Sequence, residues 1–342
     1  IRFGGEYMYF NDKNTFTNHY VTDARVRVDD HFKAAFAEAD VYVTNDLAAK
    51  LGTRYEHSSR MERSNIMPRV SLAYKIGMKG QASLAYGIFY QKPEKEFYMQ
   101  NYAMDDLVYT KATHYIINYQ RLSRDYTLRI EGFYKKYNDL LKTYATGGNS
   151  IADSVSNGGY GHAKGIELFW RDRKSIPNLD YWISYSYLDT KRDYLNYPHA
   201  MRPNFASTHT ASVVLKKFVT RWKTMVNASY TFATPRPYYN IRYDNGQGKF
   251  TIADQGKTIP YHNLSFSLNY IPQAGLQNAK KFVVWVFSVT NVLGNDQVFG
   301  YNYSANGMRK EPILPTARRF FFLGCFISFG VDRTEDVINS NL

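Results

Sequence analysis

Polar and apolar residues alternate along most of this chain, the pattern of strands whose two faces meet different surroundings. In 222–232 one face carries Trp222, Val226, Ala228, Tyr230 and Phe232, and the other Lys223, Asn227, Ser229 and Thr231. In 263–270 Leu264, Phe266, Leu268 and Tyr270 oppose Asn263, Ser265, Ser267 and Asn269. The same holds for Tyr126, Leu128, Ile130 and Tyr134 against Thr127, Arg129, Glu131 and Lys135, and for Val70, Leu72, Tyr74 and Ile76 against Arg69, Ser71 and Lys75. The pattern predicts strands near 1–10, 32–44, 47–57, 66–76, 81–92, 112–123, 126–138, 160–172, 180–190, 207–218, 221–233, 261–272, 280–296 and 315–330.

A soluble sandwich alternates too, with its apolar face turned inward. Three features favour a membrane barrel instead. The segments are long, about 10–14 residues against a globular mode of about 5–6. Aromatic residues gather at strand ends, as girdles do. Connections alternate between short ones (Thr44–Leu47, Gly77–Gln81, Arg124–Tyr126, Lys174–Leu179, Val219–Arg221, Pro272–Asn278) and long ones (Asn11–His31, Pro93–Lys111, Tyr144–Gly158, Lys191–Phe205, Thr234–Pro260, Gln297–Pro312), with Ser58–Asn65 a shorter member of the long series. Short turns on one side and long loops on the other are the periplasmic and extracellular ends of an outer-membrane barrel. The fold class is therefore all-β: a transmembrane antiparallel barrel wall over 1–330, with 331–342 a short polar periplasmic tail. The parity agrees, because the first strand runs outward and the last runs inward.

Composition supports strands over helices as the spanning element. A spanning helix needs roughly 20 apolar residues and a tilted spanning strand about 9–11; the longest apolar runs are Phe282–Val289 and Phe320–Ser328. Mean hydropathy is −0.47, yet there are 31 Tyr and 22 Phe in 342 residues. Tyr suits membrane–water boundaries and ligand-facing loops. The formal net charge of +13 fits anionic headgroups or an anionic ligand. Its basic residues are dispersed and form no nucleic-acid-binding motif, so no nucleic-acid partner is expected. The single cysteine, Cys325, excludes a disulfide framework and a cysteine-based zinc site, and reads as a lipid-facing packing residue. Ile1 opens directly into strand-like sequence with no signal peptide or initiator Met, so the chain reads as a piece of something longer.

Several segments resemble the C-terminal half of TonB-dependent outer-membrane receptors of the Bacteroidetes type. Asn157–Trp170, NGGYGHAKGIELFW, is similar to a recurring strand N-x-G-x-A-x-G-[IV]-E-[LF]. Ala233–Tyr239, ATPRPYY, resembles the family's loop after a long strand. Pro260–Tyr270, PYHNLSFSLNY, resembles P-x-Y-x-x-L-D-[LV]-x-[LV]-x-Y, with Ser265 where Asp is usual. Val289–Gly294, VTNVLG, resembles V-x-N-[LV]-[FL]-[DG], and Pro315–Phe329 resembles the terminal strand. Family chains often stop at the terminal aromatic, whereas this one runs on to Leu342. The resemblance implies a barrel of about 22 strands, with the first strands, an N-terminal plug and the TonB-contacting segment lying before Ile1. It also implies import of a scarce, bulky solute (siderophore, haem, vitamin, oligosaccharide or peptide), driven through TonB–ExbB–ExbD acting on the plug. The expected surroundings are outer-membrane lipid and lipopolysaccharide, and a surface lipoprotein is a further partner. The alternatives are a passive 14-strand channel and a surface receptor or adhesin acting with a lipoprotein.

No covalent chemistry is expected, and no cofactor or metal. Gly256-Lys257-Thr258 imitates the end of a phosphate-binding loop, but Thr251 stands where glycine is required and no helix pattern follows. Gly159, Gly161 and Gly165 precede a strand and miss the dinucleotide spacing; they read as places where the wall bends or approaches a plug. The eight histidines show no metal-site spacing, and no nucleophile motif marks an enzyme. Charges on the polar faces are expected to line the lumen and hold a plug: Glu38, Asp40, Arg54, Arg69, Lys75, Arg129, Glu131, Glu167 and Arg171. A midplane Arg or Lys in lipid costs about 2–4 kcal/mol. Ligand-contact candidates in the long loops are Phe97, Tyr98, Tyr102, Tyr109, Tyr194, Tyr197, Arg202, Tyr238, Tyr239, Tyr243, Tyr301, Tyr303 and Arg309, because aromatic and Arg side chains bind by stacking and charge pairing.

Overall fold

The computed structural model describes residues 1–16, 24–94, 97, 107–144, 154–244, 249–276, 281–304 and 309–330. Fourteen strands form one antiparallel sheet in chain order. They are β1 (Arg2–Phe16), β2 (Ala24–Tyr42), β3 (Leu47–Ser58), β4 (Arg63–Ile76), β5 (Gly80–Gln91), β6 (Thr110–Leu122), β7 (Tyr126–Tyr144), β8 (Ser154–Asp172), β9 (Leu179–Asp193), β10 (His209–Val219), β11 (Thr224–Ala233), β14 (Tyr261–Tyr270), β15 (Lys281–Thr290) and β18 (Phe320–Phe329). Each predicted strand has its counterpart. Two hairpins stand apart from the wall: β12 (Pro237–Asp244) with β13 (Lys249–Lys257), and β16 (Gly300–Tyr303) with β17 (Lys310–Ile313). No ladder joins β1 to β18 among the described residues.

The register makes the two faces explicit. One rung runs Leu72, Leu84, Ile117, Gly132, Ile166, Tyr187 across β4 to β9. Another runs Tyr230, Leu264 across β11 and β14, and a third Phe266, Val289, Phe321 across β14, β15 and β18. These side chains stay open to the surroundings: Ile66 is 65% exposed, Ile117 60% and Ile166 55%. A wall one sheet thick cannot bury this face on itself, and a continuous apolar surface of such extent marks contact with another apolar medium. No helix among the described residues is long and apolar enough to cross a membrane, so any crossing is by strands. Buried clusters are small. Val28, Met61 and Tyr109 gather under Tyr90 at the long-loop end. Ile271, Ala274, Phe282 and Val284 gather at the short-turn end.

The short turns are made by local side-chain bonds. Thr44 Oγ1 accepts from the Asp46 and Leu47 N–H groups (3.2 and 3.0 Å). Asp172 Oδ1 accepts from the Lys174 and Ser175 N–H groups (2.8 and 2.9 Å). These are the Ser/Thr and Asx turns that such residues favour.

The long connections need correcting. Most of Asn11–His31 is strand, since β1 and β2 stay paired from Arg2↔Glu38 up to Phe16↔Ala24. β7 likewise pairs β8 up to Tyr144↔Ser154. Thr234–Pro260 and Gln297–Pro312 each contain a hairpin. The strand expected over 280–296 ends at Thr290, because Asn291 takes a left-handed φ of 55°. Residues 331–342 lie outside the described part of the chain.

Candidate functional site: the long-loop mouth and polar face

The polar-face charges fall on one side of the sheet by register: Glu38, Asp40, Arg54, Arg69, Arg129, Glu131, Glu167 and Arg171, with Lys75. Most form ion pairs, chiefly with charged neighbours outside this set. Arg54 bonds Glu56 (2.6 Å) and Glu6 (2.9 Å). Arg2 reaches Asp40 (3.1 Å) and Glu38 (3.8 Å), and Arg129 reaches Glu131 (2.8 Å). Arg171 grips Asp180 in a fork (2.9 and 2.5 Å) while lying over Trp182. Arg69 lies over Phe89, 4.7 Å from the ring centre.

The polar face changes character along the sheet. From β10 to β15 it is mostly neutral, and a hollow of about 580 Å³ opens there among Asn227, Ser229, Ser265, Ser267, Asn269 and Ser288. The Oδ1 atoms of Asn227 and Asn269 are buried without a hydrogen-bond partner.

Three side-chain clusters build the mouth. In the first, Asp30 on β2 is 5% exposed and accepts from Ser58 Oγ (2.8 Å), Arg60 N (3.2 Å) and Lys92 Nζ (2.6 Å). Lys92 also lies over Phe10 and Phe32. Tyr109 packs beside this cluster, and burial, with the charges of Asp30 and Glu56, pushes its phenol up to about 12.

The second cluster joins Tyr194, Tyr197, Tyr239 and Arg202. Tyr197 meets Tyr194 edge-on at 4.7 Å and Tyr239 at 4.9 Å. The Tyr197 and Tyr239 hydroxyls bond each other, and Tyr239 donates to the Arg202 carbonyl (2.8 Å). Burial, then the neighbouring hydroxyls, pushes Tyr197 well above the usual phenol range. Lys142, buried on β7, bonds Asp193 and the Tyr197 carbonyl beneath it.

The third cluster ties the two hairpins together. Tyr238 on β12 and Tyr301 on β16 lie 4.4 Å apart. Lys310 on β17 sits over both rings (4.4 and 4.8 Å) and donates to Tyr238 Oη (2.6 Å). Tyr303 donates to Asn240 Oδ1 (3.2 Å). Tyr238 also lies across Gly256, where any side chain would collide with its ring.

The candidates thus fall into distinct settings. Tyr109 and Tyr197 are buried in packing, whereas Tyr238, Tyr301 and Tyr303 are half-buried in the hairpin junction. Tyr243 is exposed, and Arg309 is 79% exposed and paired with Glu311 (2.7 Å). Phe97 is half-buried. Tyr98 and Tyr102 lie outside the described residues. Gly159, Gly161 and Gly165 have a nearer reason than a plug: Leu140, Arg192 and Phe133 from neighbouring strands occupy the space beside them.

Sequence reasoning missed the charged members Asp30, Lys92, Lys142 and Lys310, and also Arg192, which lies over Tyr137 at 4.6 Å. It missed two organising asparagines. Asn157 bonds Val108 through both its N–H and carbonyl, and also the Asp139 carbonyl. Asn291 donates to the Asn295 and Arg318 carbonyls (2.8 and 2.7 Å). Both stand in segments with a family pattern, which was the available signal. No group of residues suited to holding a metal occurs among the described residues.

A fourteen-strand wall with an apolar face, a hydrated face and an aromatic mouth defines an outer-membrane barrel. The model of the TonB dependent receptor-like β-barrel family matches residues 1–292, and the chain belongs to that family, which consists of outer-membrane transporters rather than enzymes. Among solved structures it is similar to the outer-membrane transporter YddB from Escherichia coli (13% identity, TM-score 0.69, 96% of this chain and 51% of that one). It is also similar to the ferric yersiniabactin uptake receptor FyuA from Yersinia pestis (14%, 0.66, 90% and 47%). A third is the ferripyoverdine receptor of Pseudomonas aeruginosa bound to ferripyoverdine (13%, 0.66, 90% and 40%). At these identities the likeness is one of fold. The chain spans about half the length of these structures or less. No curated protein matches it.

Proposed function

We propose that this chain forms wall and mouth of a receptor that imports a scarce, bulky solute across the outer membrane, using energy delivered through TonB–ExbB–ExbD. The observation that carries the reading is the fourteen-strand wall, apolar on one face and hydrated on the other, with aromatic clusters at one end. Family membership supports the energy source. In this reading the plug and the TonB-contacting segment belong to the remainder of the receptor. Glu38, Asp40, Arg54, Arg69, Arg129, Glu131, Glu167 and Arg171 line the lumen.

Tyr238, Tyr301 and Tyr243 are the strongest solute contacts, since the hairpins hold them above the wall. Tyr197 and Tyr239 act by packing the loops. A surface lipoprotein resting on the same hairpins is the further partner, and stoichiometric co-purification tests it.

The test uses cells whose growth on a limiting nutrient depends on the full-length receptor. Growth and uptake are expected to collapse when TonB is deleted or the proton gradient is discharged. Uptake that persists at the same rate under both treatments would leave a passive channel as the better account.

A further inference from the structure

The last strand departs from the polar face it belongs to. Register carries one rung from Lys216 through Asn227, Ser267 and Ser288 to Phe322. The neighbouring rung runs Met225, Asn269, Val286 and Gly324. β18 therefore turns Phe320, Phe322, Gly324 and Phe326 to the side of the Ser and Asn residues, and Phe321, Leu323, Cys325 and Ile327 to the apolar side. Phe320 is 62% exposed, Phe322 38% and Phe326 57%. A Cβ at Gly324 would stand 2.8 Å from the Phe322 ring and 3.4 Å from the Phe326 ring, so this glycine lets the two rings close over it into one apolar surface. Phe320, about 7 Å along the strand from Phe322, extends that surface toward the long-loop end. Lipid demands apolar residues on the other face only, and the interior of a membrane barrel is polar, so the wall itself has no use for three rings here.

Beside the rings lies the hollow lined by Ser229, Ser265, Ser267, Asn269, Ser288 and Thr290. Asn227 donates to Ser267 Oγ (3.0 Å) and Ser265 to Asn263 Oδ1 (3.0 Å). Ser229, Ser288 and Thr290 keep hydroxyls that bond no protein group among the described residues. Across β10, β11, β14, β15 and β18, Lys216 is the one charged side chain on this face among the described residues. By contrast, β2 to β8 place Glu38, Asp40, Arg54, Arg69, Glu131 and Arg171 there.

We propose that the polar face of β14, β15 and β18 is a track for a neutral, hydroxyl-rich solute of the oligosaccharide class. A saccharide ring offers an apolar face of C–H groups and an edge of hydroxyls. The face stacks on a phenyl ring, and the edge exchanges hydrogen bonds with Ser and Asn side chains, which both donate and accept. A solute held through carboxylates or ammonium groups needs opposite charges along its path, and one lysine over five strands does not supply them. β17 at the hairpin junction is followed directly by β18, so the rings start at the mouth end of the wall. The inference rests on the reading that this face lines a path for imported solute, and it names the solute class and the path.

The test uses cells whose outer membrane carries the full-length receptor. Tritiated hexasaccharides of glucose, xylose, mannose and galactose are the neutral probes, and hexagalacturonate and a ferric tris-catecholate the charged ones. At least one neutral probe is expected to enter, and the charged probes to stay at background. Phe322→Ala/Phe326→Ala is expected to lower the maximal uptake rate of that neutral probe about tenfold, while the half-saturating concentration, set at the mouth, stays constant. Phe322→Tyr/Phe326→Tyr keeps the rings and is expected to keep the rate. Phe321→Ala/Leu323→Ala removes similar apolar bulk from the other face and is expected to leave the rate unchanged. A heat-modifiable band on a gel reports that each variant is folded. The proposal is overturned by entry of charged probes alone or of no probe, by an unchanged rate in Phe322→Ala/Phe326→Ala, by loss in the Tyr variant, or by an equal loss in Phe321→Ala/Leu323→Ala. A folded Phe322→Ala/Phe326→Ala receptor that admits vancomycin and takes up the neutral probe at full rate would mark the rings as a seat for the plug instead. TonB-dependent entry of a charged probe alone sinks the track and keeps the importer reading. Entry of a neutral probe that persists without TonB sinks the importer reading and leaves the track standing.

Discussion

Asn291 shows how one residue stops a strand and starts a loop. It is 2% exposed, takes a left-handed φ of 55° that few side chains accept, and its amide nitrogen donates to two carbonyls, those of Asn295 and Arg318. Asn263 accepts its backbone N–H (3.1 Å). One residue, through its side chain and its backbone N–H, thereby joins β14, the loop after β15 and the approach to β18. Asn291→Ala is expected to lose about 1–3 kcal/mol, the net worth of two hydrogen bonds, measured as a shift in urea unfolding of the full-length receptor. An unchanged midpoint would show that the bonds are replaced by water. Asn is legible in the sequence as a turn former, but its partners lie across two strands and were not.

At the scale of elements, the wall strands and the hairpins differ in legibility for one reason. Wall strands separate lipid from water, so their residues alternate. β12 and β13 stand clear of the wall, and Tyr238, Asn240 and Arg242 alternate with nothing that demands apolar character. β16 and β17 have four residues each, too few to show a period. The mouthward ends of β1 and β2 also pass unread, since Asn11, Asp12 and Lys13 are strand residues with polar character on both faces.

The junction between the hairpins depends on Lys310, whose ammonium is held in its charged form chiefly by the bond to Tyr238. Lys310→Gln is expected to remove the contact to both rings and let the hairpins exchange independently. Hydrogen exchange of backbone amides in 237–257 and 300–313 of the full-length receptor should then rise several-fold, while exchange in β14 and β15 stays constant. No change in the hairpins would mean that Tyr303–Asn240 suffices to hold them.

For the whole molecule, the decisive feature is the pair of sheet edges. Among the described residues β1 and β18 have one neighbour each, and in hydrocarbon every unpaired backbone group costs several kcal/mol, so spanning sheets must close. Residues 1–342 expressed alone are expected to give no heat-modifiable folded form in detergent and no steady conductance in a planar bilayer. Strands added to pair with β1 and β18 are expected to restore the folded form. A stable, conducting species from 1–342 alone would show that the two edges meet each other.

The sequence by itself determined the wall: fourteen strands, their order, their two faces and the end at which the long connections lie. Lipid on one side and water on the other impose a period of two, which survives in the residues without any knowledge of partners. Only the tertiary structure decided which side chains meet at the mouth and on the apolar face. Lys92 reaches Asp30 across 62 positions and Lys310 reaches Tyr238 across 72, and Lys136, His162 and Lys191 become neighbours only once β7, β8 and β9 are in register. Such meetings depend on strand pairing and loop path, and no local pattern records them.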